Sequence, residues 1–415
     1  MFQLKLKEKN NVAIRANLTF AEFEESLISF WIDSSGGPKD LCKNSFYGTN
    51  PKYYIYGSLN EINFYECESG AITFASENCF DFLEEKIKDE RNNPDGIFVG
   101  YFAYDLSDFF FAYFDKTFDV IARSDSDKAI SERYKIASSV LSEPPRNDKL
   151  CSNMTDSEYL EKVKQIKTEI KAGNVYQVNL TREYSLSVNK VDDLELYLKL
   201  RSVSPNPYGC YFKTPFVSIL SSSPEEFLCI ESRDNEKYIR TRPIKGTLSK
   251  NIFEIDPKNQ AENIMIVDLE RNDLGRICKY GSVKAKRLLE IESYKHLNHV
   301  VSTVEGKLKP DIKLKEIFEA MFPGGSITGA PKISAMKIIE KIEPTKRGAY
   351  TGSFGYIKTD GTMAFNILIR TIFTQGNKIT FNVGGGIVAD SEPESELVEI
   401  KLKAKGIISA LGLKI

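Results

Sequence analysis

A helix that stops on a glycine and passes at once into a strand is the stretch that most restricts what this chain can fold into. Thr155 and Glu158 form a capping-box pattern, and Leu160, Val163, Ile166 and Ile170 recur at helical spacing. Gly173 follows as a C-terminal stop, which predicts a helix over 156–172. From Val175 to Tyr184 the period becomes two. Tyr176, Val178 and Leu180 share one face, while Gln177, Asn179 and Thr181 share the other, which taken alone reads as solvent-exposed. Further strands are predicted at 216–220, 226–231, 237–241, 363–373 and 378–383, and helices at 261–270, 313–321, 331–342 and 394–411. Because the two kinds of element interleave and hairpin-like pairs are common, mixed α and β layers are expected over a simple βαβ sheet.

Upstream, from residue 1 to about 140, short alternating runs such as Tyr53–Tyr56 and Ile97–Tyr104 predict strands, with one charged helix near 80–91. The aromatic density at 101–114 reads as core packing. The opening residues alternate apolar and charged side chains, which fits a strand and lacks the apolar centre of a signal peptide. A polar break at Ser142–Asp148 is the expected boundary, dividing a mixed α/β region at 1–145 from a second region at 152–415. With 56 Lys and Arg against 58 Asp and Glu, there is no basic field for nucleic acid or an anionic membrane, and no apolar run reaches membrane-spanning length. Seven scattered cysteines without a Cys-x-x-Cys pair read as reduced thiols of a cytoplasmic protein. Two histidines, at 296 and 299, are too few for a histidine-rich metal cage.

Chemistry concentrates in the second half. In Arg242-Pro243-Ile244-Lys245-Gly246-Thr247, Pro243 fixes its own φ and Gly246 frees the backbone just after Lys245. Framing of that kind suits a nucleophilic amine, which needs one position and a way to lose its proton, although an ordinary turn has the same composition. Glu225, in Ser223-Pro224-Glu225, would face Lys245 if the two segments lie on a hairpin. Glu396 and Glu399 share a helix face, and Glu262 precedes the apolar run Ile264–Val267. Carboxylates from two helices, without histidine or thiolate, suit Mg2+, whereas acids at a helix start also simply favour the helix dipole. The glycine-rich loop Pro323–Lys332 leads into a helix and could present backbone N–H groups to an anion, but lacks the Gly-Lys-Ser/Thr ending of a nucleotide loop. Gly384, Gly385 and Gly386 follow a strand, as a tight bend or a close approach to a ligand. Arg370 ends an apolar run with Asn366, Leu368 and Ile372 as its strand-face partners, and requires an anion, either a ligand carboxylate or an internal acid. His299 is either a ligand contact or a satisfied core histidine.

Together these motifs resemble the chorismate-utilising enzymes. The resemblance runs from Asp95–Leu106 through Gly173–Leu180, Ser223–Glu225, Arg242–Thr247, Asp268–Arg276, the loop 323–332 and Arg370 to Gly384–Glu399, and covers about residue 95 onward. It implies an α+β fold of orthogonally packed antiparallel β-sheets flanked by outer helices, with 1–145 completing the sandwich and 152–415 forming the chorismate-binding catalytic region. It also implies a Mg2+ cofactor held by Glu262 and Glu399, with Glu396 acting through water. Tyr350, Arg370, Gly384, Gly385, Gly386 and Lys403 are implied as holders of the substrate carboxylates, Ser326 and His299 as ring contacts, and Glu225 as the general acid/base. Lysine at 245 resembles the aminodeoxychorismate synthases of this family, whose anthranilate-forming relatives carry alanine. Asn259 departs from the pattern, which places an acid there. Because the chain offers no Gly-x-Cys-x-Gly elbow with a separate histidine, ammonia is expected from a separate glutamine amidotransferase subunit.

Overall fold

The computed structural model describes residues 6–7, 26–34, 36, 41, 45–120, 150–295 and 297–413. The expected boundary at 142–148, Cys42, His296 and most of the opening strand lie outside these residues. Among the described residues there are seven helices, α1 (Cys79–Asp89), α2 (Asp156–Lys171), α3 (Asp193–Val203), α4 (Pro257–Ile277), α5 (Leu314–Met321), α6 (Lys332–Ile342) and α7 (Pro393–Ala410). They flank two large antiparallel sheets, the α+β architecture expected from the sequence.

Three apolar clusters stack these elements in layers. The middle cluster lies between the sheets, joining Phe30, Phe212 and Ile219 of the first sheet to Val99, Phe110 and Phe354 of the second. The first sheet is covered on its outer side by α2, α3, α6 and α7, the second by α1, α4 and α5. Strands Ile97–Phe102 and Phe109–Phe114 are buried at every position because they serve two cores at once. Phe98, Phe102, Phe111 and Tyr113 point to the helix side, while Val99, Tyr101, Phe110 and Ala112 point between the sheets, the period-two alternation of a strand. The aromatic run is core, as its composition suggested.

Chain segments on either side of residue 121 share both sheets. Tyr208–Lys213 pairs with Ser29–Asp33, and Ser353–Lys358 pairs with Ile97–Phe102. The helix predicted at 156–172 is present with both hydrogen bonds of its capping box, and Gly173 takes φ +79 just past its end. Two expectations need correcting. The run 363–373 is not one strand: Met363–Asn366 belongs to the second sheet and Thr371–Gln375 to the first, and the chain crosses between sheets with Arg370 at φ +51. Arg370 therefore shares no strand face with Asn366, Leu368 and Ile372. The polar face of strand Gln177–Ser187 is not solvated either. Gln177 and Thr181 are buried, whereas Tyr176, placed with the apolar face, precedes the strand and is exposed.

Candidate active site

Two sheet crossings meet at the centre of the molecule. Besides the one that carries Arg370, the chain leaves the first sheet after Ser218–Ser223 and enters the second at Glu226–Arg233, with Pro224 and Glu225 between. The crossings hold each other. Ser222 N–H donates to the Arg370 carbonyl at 3.1 Å, Ile367 N–H donates to the Glu225 carbonyl at 3.1 Å, and the Ser223 hydroxyl donates to the Ile367 carbonyl at 2.6 Å. Switching sheets interrupts the ladder, so side chains at a corner point into the space between layers rather than along one face.

The hairpin of Glu226–Arg233 and Glu236–Arg242 then returns the chain so that Ile244 N–H donates to Glu225 Oε1 at 3.2 Å. Lys245 follows, and its Nζ donates to the Ser326 carbonyl at 2.8 Å. Burial, above all, lowers the Lys245 pKa; the carboxylates of Glu262 and Glu225 pull it back up, and Lys403 lowers it further. Burial raises the Glu225 pKa, against the neighbouring Ser326 hydroxyl and the Lys245 charge. Desolvation thus pushes both groups toward their neutral forms, the state in which an amine attacks and a carboxylic acid donates. Gly246 has φ +97, and a Cβ there would stand 3.1 Å from Asn259, so Asn259 closes the turn that directs Lys245. Asn259 N–H is in turn held by the α4 cap Asp256 at 3.0 Å.

Strand Lys378–Ile387 runs uncurled through Gly384, Gly385 and Gly386, which pair with Thr181, Leu180 and Asn179; the triplet is no bend. Its glycines leave room for neighbours. A Cβ on Gly386 would stand 2.4 Å from Gln177 Nε2, and one on Gly384 would stand 2.7 Å from Asn179 Oδ1. Gly385 faces Glu396 and Glu399 of α7. Gln177 Nε2 donates to Glu262 Oε2 at 3.4 Å, and the Glu262 pKa is raised first by burial and also by the charges of Glu396 and Glu399. Lys258 lies 3.6 Å from Glu396, and Lys403 lies 2.7 Å from Glu399 while donating to the Gly384 carbonyl at 3.0 Å. Among the described residues, no three acid, histidine or cysteine side chains converge tightly enough to hold a metal ion. An all-carboxylate donor set with mutual repulsion nevertheless fits a hard divalent ion, in exchange for the two lysines.

His299 Nδ1 lies 3.2 Å from Thr247 Oγ1, and its Nε2 is buried without a partner. Burial, with Arg370 as the next cause, pushes its pKa down to about 3, so the ring is neutral. Arg370 is half-buried, and no carboxylate among the described residues pairs with it. Tyr350 is buried in the core between the sheets, where its charged neighbours are Arg347 and Glu343. The glycine-rich loop differs from expectation: its Gly325 N–H already meets an internal acid, donating to Glu270 Oε1 at 3.0 Å. Sequence reading passed over Glu270, Gln177, Asn179 and Arg347. For Glu270 a signal existed, since it lies four residues after Ile266 and before Leu274 on the buried stripe of α4. Arg347 gave none; it joins the Ile327 and Asn179 carbonyls to Glu343 only in the folded chain.

The family model of the chorismate binding enzymes matches residues 42–409. An aminodeoxychorismate synthase component 1 of Bacillus subtilis is 42% identical over 270 residues, 62% of this chain and 56% of that protein. An anthranilate synthase component I-like protein of Synechocystis is 41% identical over 280 residues, 65% of this chain and likewise 56% of that protein. The chain therefore spans little more than half the length of these relatives. In fold, the crystal structure of anthranilate synthase component I from Streptococcus pneumoniae superposes with a TM-score of 0.71 at 23% identity, covering 97% of this chain and 95% of that one. With the family model spanning nearly all of it, the chain belongs to the chorismate-binding enzymes.

Proposed function

We propose that the chain is the synthase component of an aminodeoxychorismate synthase, converting chorismate and ammonia to 4-amino-4-deoxychorismate for para-aminobenzoate and folate synthesis in the cytoplasm. The observation that carries this reading is the half-buried Lys245, its amine turned onto the Ser326 carbonyl, beside the buried carboxyl of Glu225. A free lysine is neutral in roughly one molecule in a few thousand at pH 7, and desolvation enlarges that fraction. Neutral Lys245 adds to ring carbon two as Glu225 protonates the departing ring hydroxyl, which leaves as water. Ammonia then adds at carbon four, the lysine leaves, and the proton released by the new amine returns to Glu225. Arg370, which lacks an internal counter-ion among the described residues, holds a substrate carboxylate with Lys403 and the backbone of Gly384–Gly386, while Ser326 and His299 border the ring. Tyr350 joins Arg370 in holding that carboxylate. Glu262 and Glu399, with Glu396 through water, hold Mg2+, which neutralises the ring carboxylate when bound. Residues 152–415 form the catalytic region, and 1–145 complete the sandwich.

The names of relatives as component 1 support a heteromeric enzyme, with ammonia supplied by a glutamine amidotransferase subunit. A second reading, anthranilate synthase component I, follows from the Synechocystis relatives that carry that name. Incubating the purified chain with chorismate, Mg2+ and ammonium, with mass analysis of the products, separates the readings. Aminodeoxychorismate supports the first, fluorescent anthranilate the second, and tight binding without turnover leaves a chorismate-sensing subunit. Glutamine is expected to replace ammonium only when the partner is added.

A further inference from the structure

The buried side of α4 joins Ile266, Val267, Leu274 and Ile277 with the polar Asn263, Glu270 and Asp273. Asp273 pairs with Lys332 and Arg276, whereas no cation among the described residues is in salt-bridge contact with the Glu270 carboxyl, whose burial is therefore costly. Its Oε1 accepts the Gly325 N–H at 3.0 Å. A Cβ on Gly325 would stand 2.8 Å from that oxygen and 2.7 Å from Leu269, so the loop reaches the carboxyl only because it carries glycine here. The other oxygen, Oε2, is buried without a hydrogen-bond partner. Three charged groups face the carboxyl: Asp273 from the same helix, Lys332 from the start of α6, and Glu225 from the sheet crossing. Lys332 is already engaged, at 2.5 Å from Asp273 and 2.8 Å from the Met321 carbonyl. Burial, above all, pushes the Glu270 pKa up to about 7.

The next residue in the loop is Ser326, whose carbonyl accepts from Lys245 Nζ at 2.8 Å and whose hydroxyl lies beside Glu225. We propose that Glu270 is a positioning residue for the reaction at Lys245: by holding the Gly325 amide it fixes the Ser326 peptide, and so the direction of the Lys245 amine and the setting of Glu225. The role rests on the reading of Lys245 as nucleophile. Ionised Glu270 grips the amide more strongly than the neutral acid and keeps Glu225 protonated to higher pH, two effects of one sign.

The test uses Glu270→Gln, which keeps the acceptor oxygen and loses the charge, and Glu270→Ala, which loses both, in the full chain. Chorismate consumption is followed across neutral pH at constant free ammonia, together with hydrogen exchange at Gly325–Thr328. Glu270→Gln is expected to match wild-type kcat below about pH 7 and to fall roughly tenfold behind above it, with KM for chorismate little changed. Glu270→Ala should lose about a hundredfold in kcat, the scale of a misplaced reacting group, and exchange faster in the loop. A Glu270→Gln profile that superimposes on wild type at every pH overturns the proposal, and carries the decision alone if Glu270→Ala does not fold. Failure of the underlying reading shows separately, as a wild-type enzyme that forms no adduct on Lys245, and it overturns the positioning role with it whatever the loop exchange in Glu270→Ala.

Discussion

Two polar regions border the same pair of sheets and treat their charges in opposite ways. In the cavity of about 500 Å³ lined by Tyr208, Glu226, Arg240, Arg242 and Glu305, every arginine of the network closes on a carboxylate. Arg240 makes bidentate contacts to Glu226 at 2.8 and 3.1 Å and a third to Glu231 at 2.7 Å, Arg242 binds Glu292, and Arg233 lies 2.7 Å from Glu305. Around Lys245 the account stays open. Arg370 has no acid in contact among the described residues, and Gln177 Oε1, Asn179 Oδ1, Glu270 Oε2 and His299 Nε2 are buried without partners. A buried polar atom without a partner costs about 1–3 kcal/mol, and the arginine cavity carries such atoms too, at Tyr208 Oη and Thr303 Oγ1, so the regions differ in how their arginines are paired rather than in their neutral groups.

That contrast can be broken most directly at Lys245. Lys245→Ala is expected to abolish the covalent adduct with chorismate and to lower turnover by more than about a thousandfold, while the melting temperature holds or rises. An adduct of unchanged mass in the variant would falsify the nucleophile. Matched arginine variants sharpen the comparison. Arg240→Ala should cost roughly 2–4 kcal/mol of stability by denaturant titration, toward the low end because its side chain keeps a quarter of its exposure. Arg370→Ala should leave stability near wild type and raise the KM for chorismate by roughly tenfold or more. If the two variants exchange these signatures, the open and closed regions have been misread.

A smaller effect concerns pH. The Glu270 carboxyl titrates at about 7 in the folded chain against an ordinary 4.5. The folded state therefore holds its proton longer than the unfolded chain, so stability declines as pH rises from about 4.5 to about 7 and is level with respect to this group above that. Glu270→Gln should flatten that decline by on the order of 3 kcal/mol, read from melts across the window. A slope equal to wild type would mean the carboxyl is already ionised. The smallest change is expected at Thr155→Ala, which removes the cap of α2 for about 1 kcal/mol and leaves turnover unchanged.

The site was legible in proportion to how local its signals are. Pro243 and Gly246 frame Lys245 whatever surrounds them, and the acids of α7 declare themselves by helical spacing. The burial of Gln177 and Thr181 was not readable, because a polar face on an alternating strand has one pattern whether it meets water or the protein interior. Arg370 was misplaced for a related reason: the mostly apolar stretch 363–373 reads as one strand, and its break appears only where φ turns positive between two sheets. Tyr350 was named by resemblance, and its neighbours Arg347 and Glu343 became visible only in the packed core.

By itself the sequence determined the elements, their caps and the stock of chemical groups, since helical period, alternation, proline and glycine act over a few residues. It also carried enough ordered motifs to point to the family. What only the tertiary structure decided is which groups are paired. Whether Lys245 and Glu225 are desolvated, whether Arg370 finds an acid, and whether Glu270 meets a backbone amide depend on segments 20 to 150 residues apart brought together at two sheet crossings. Desolvation and pairing are properties of the space around a group, and no local stretch of chain encodes that space.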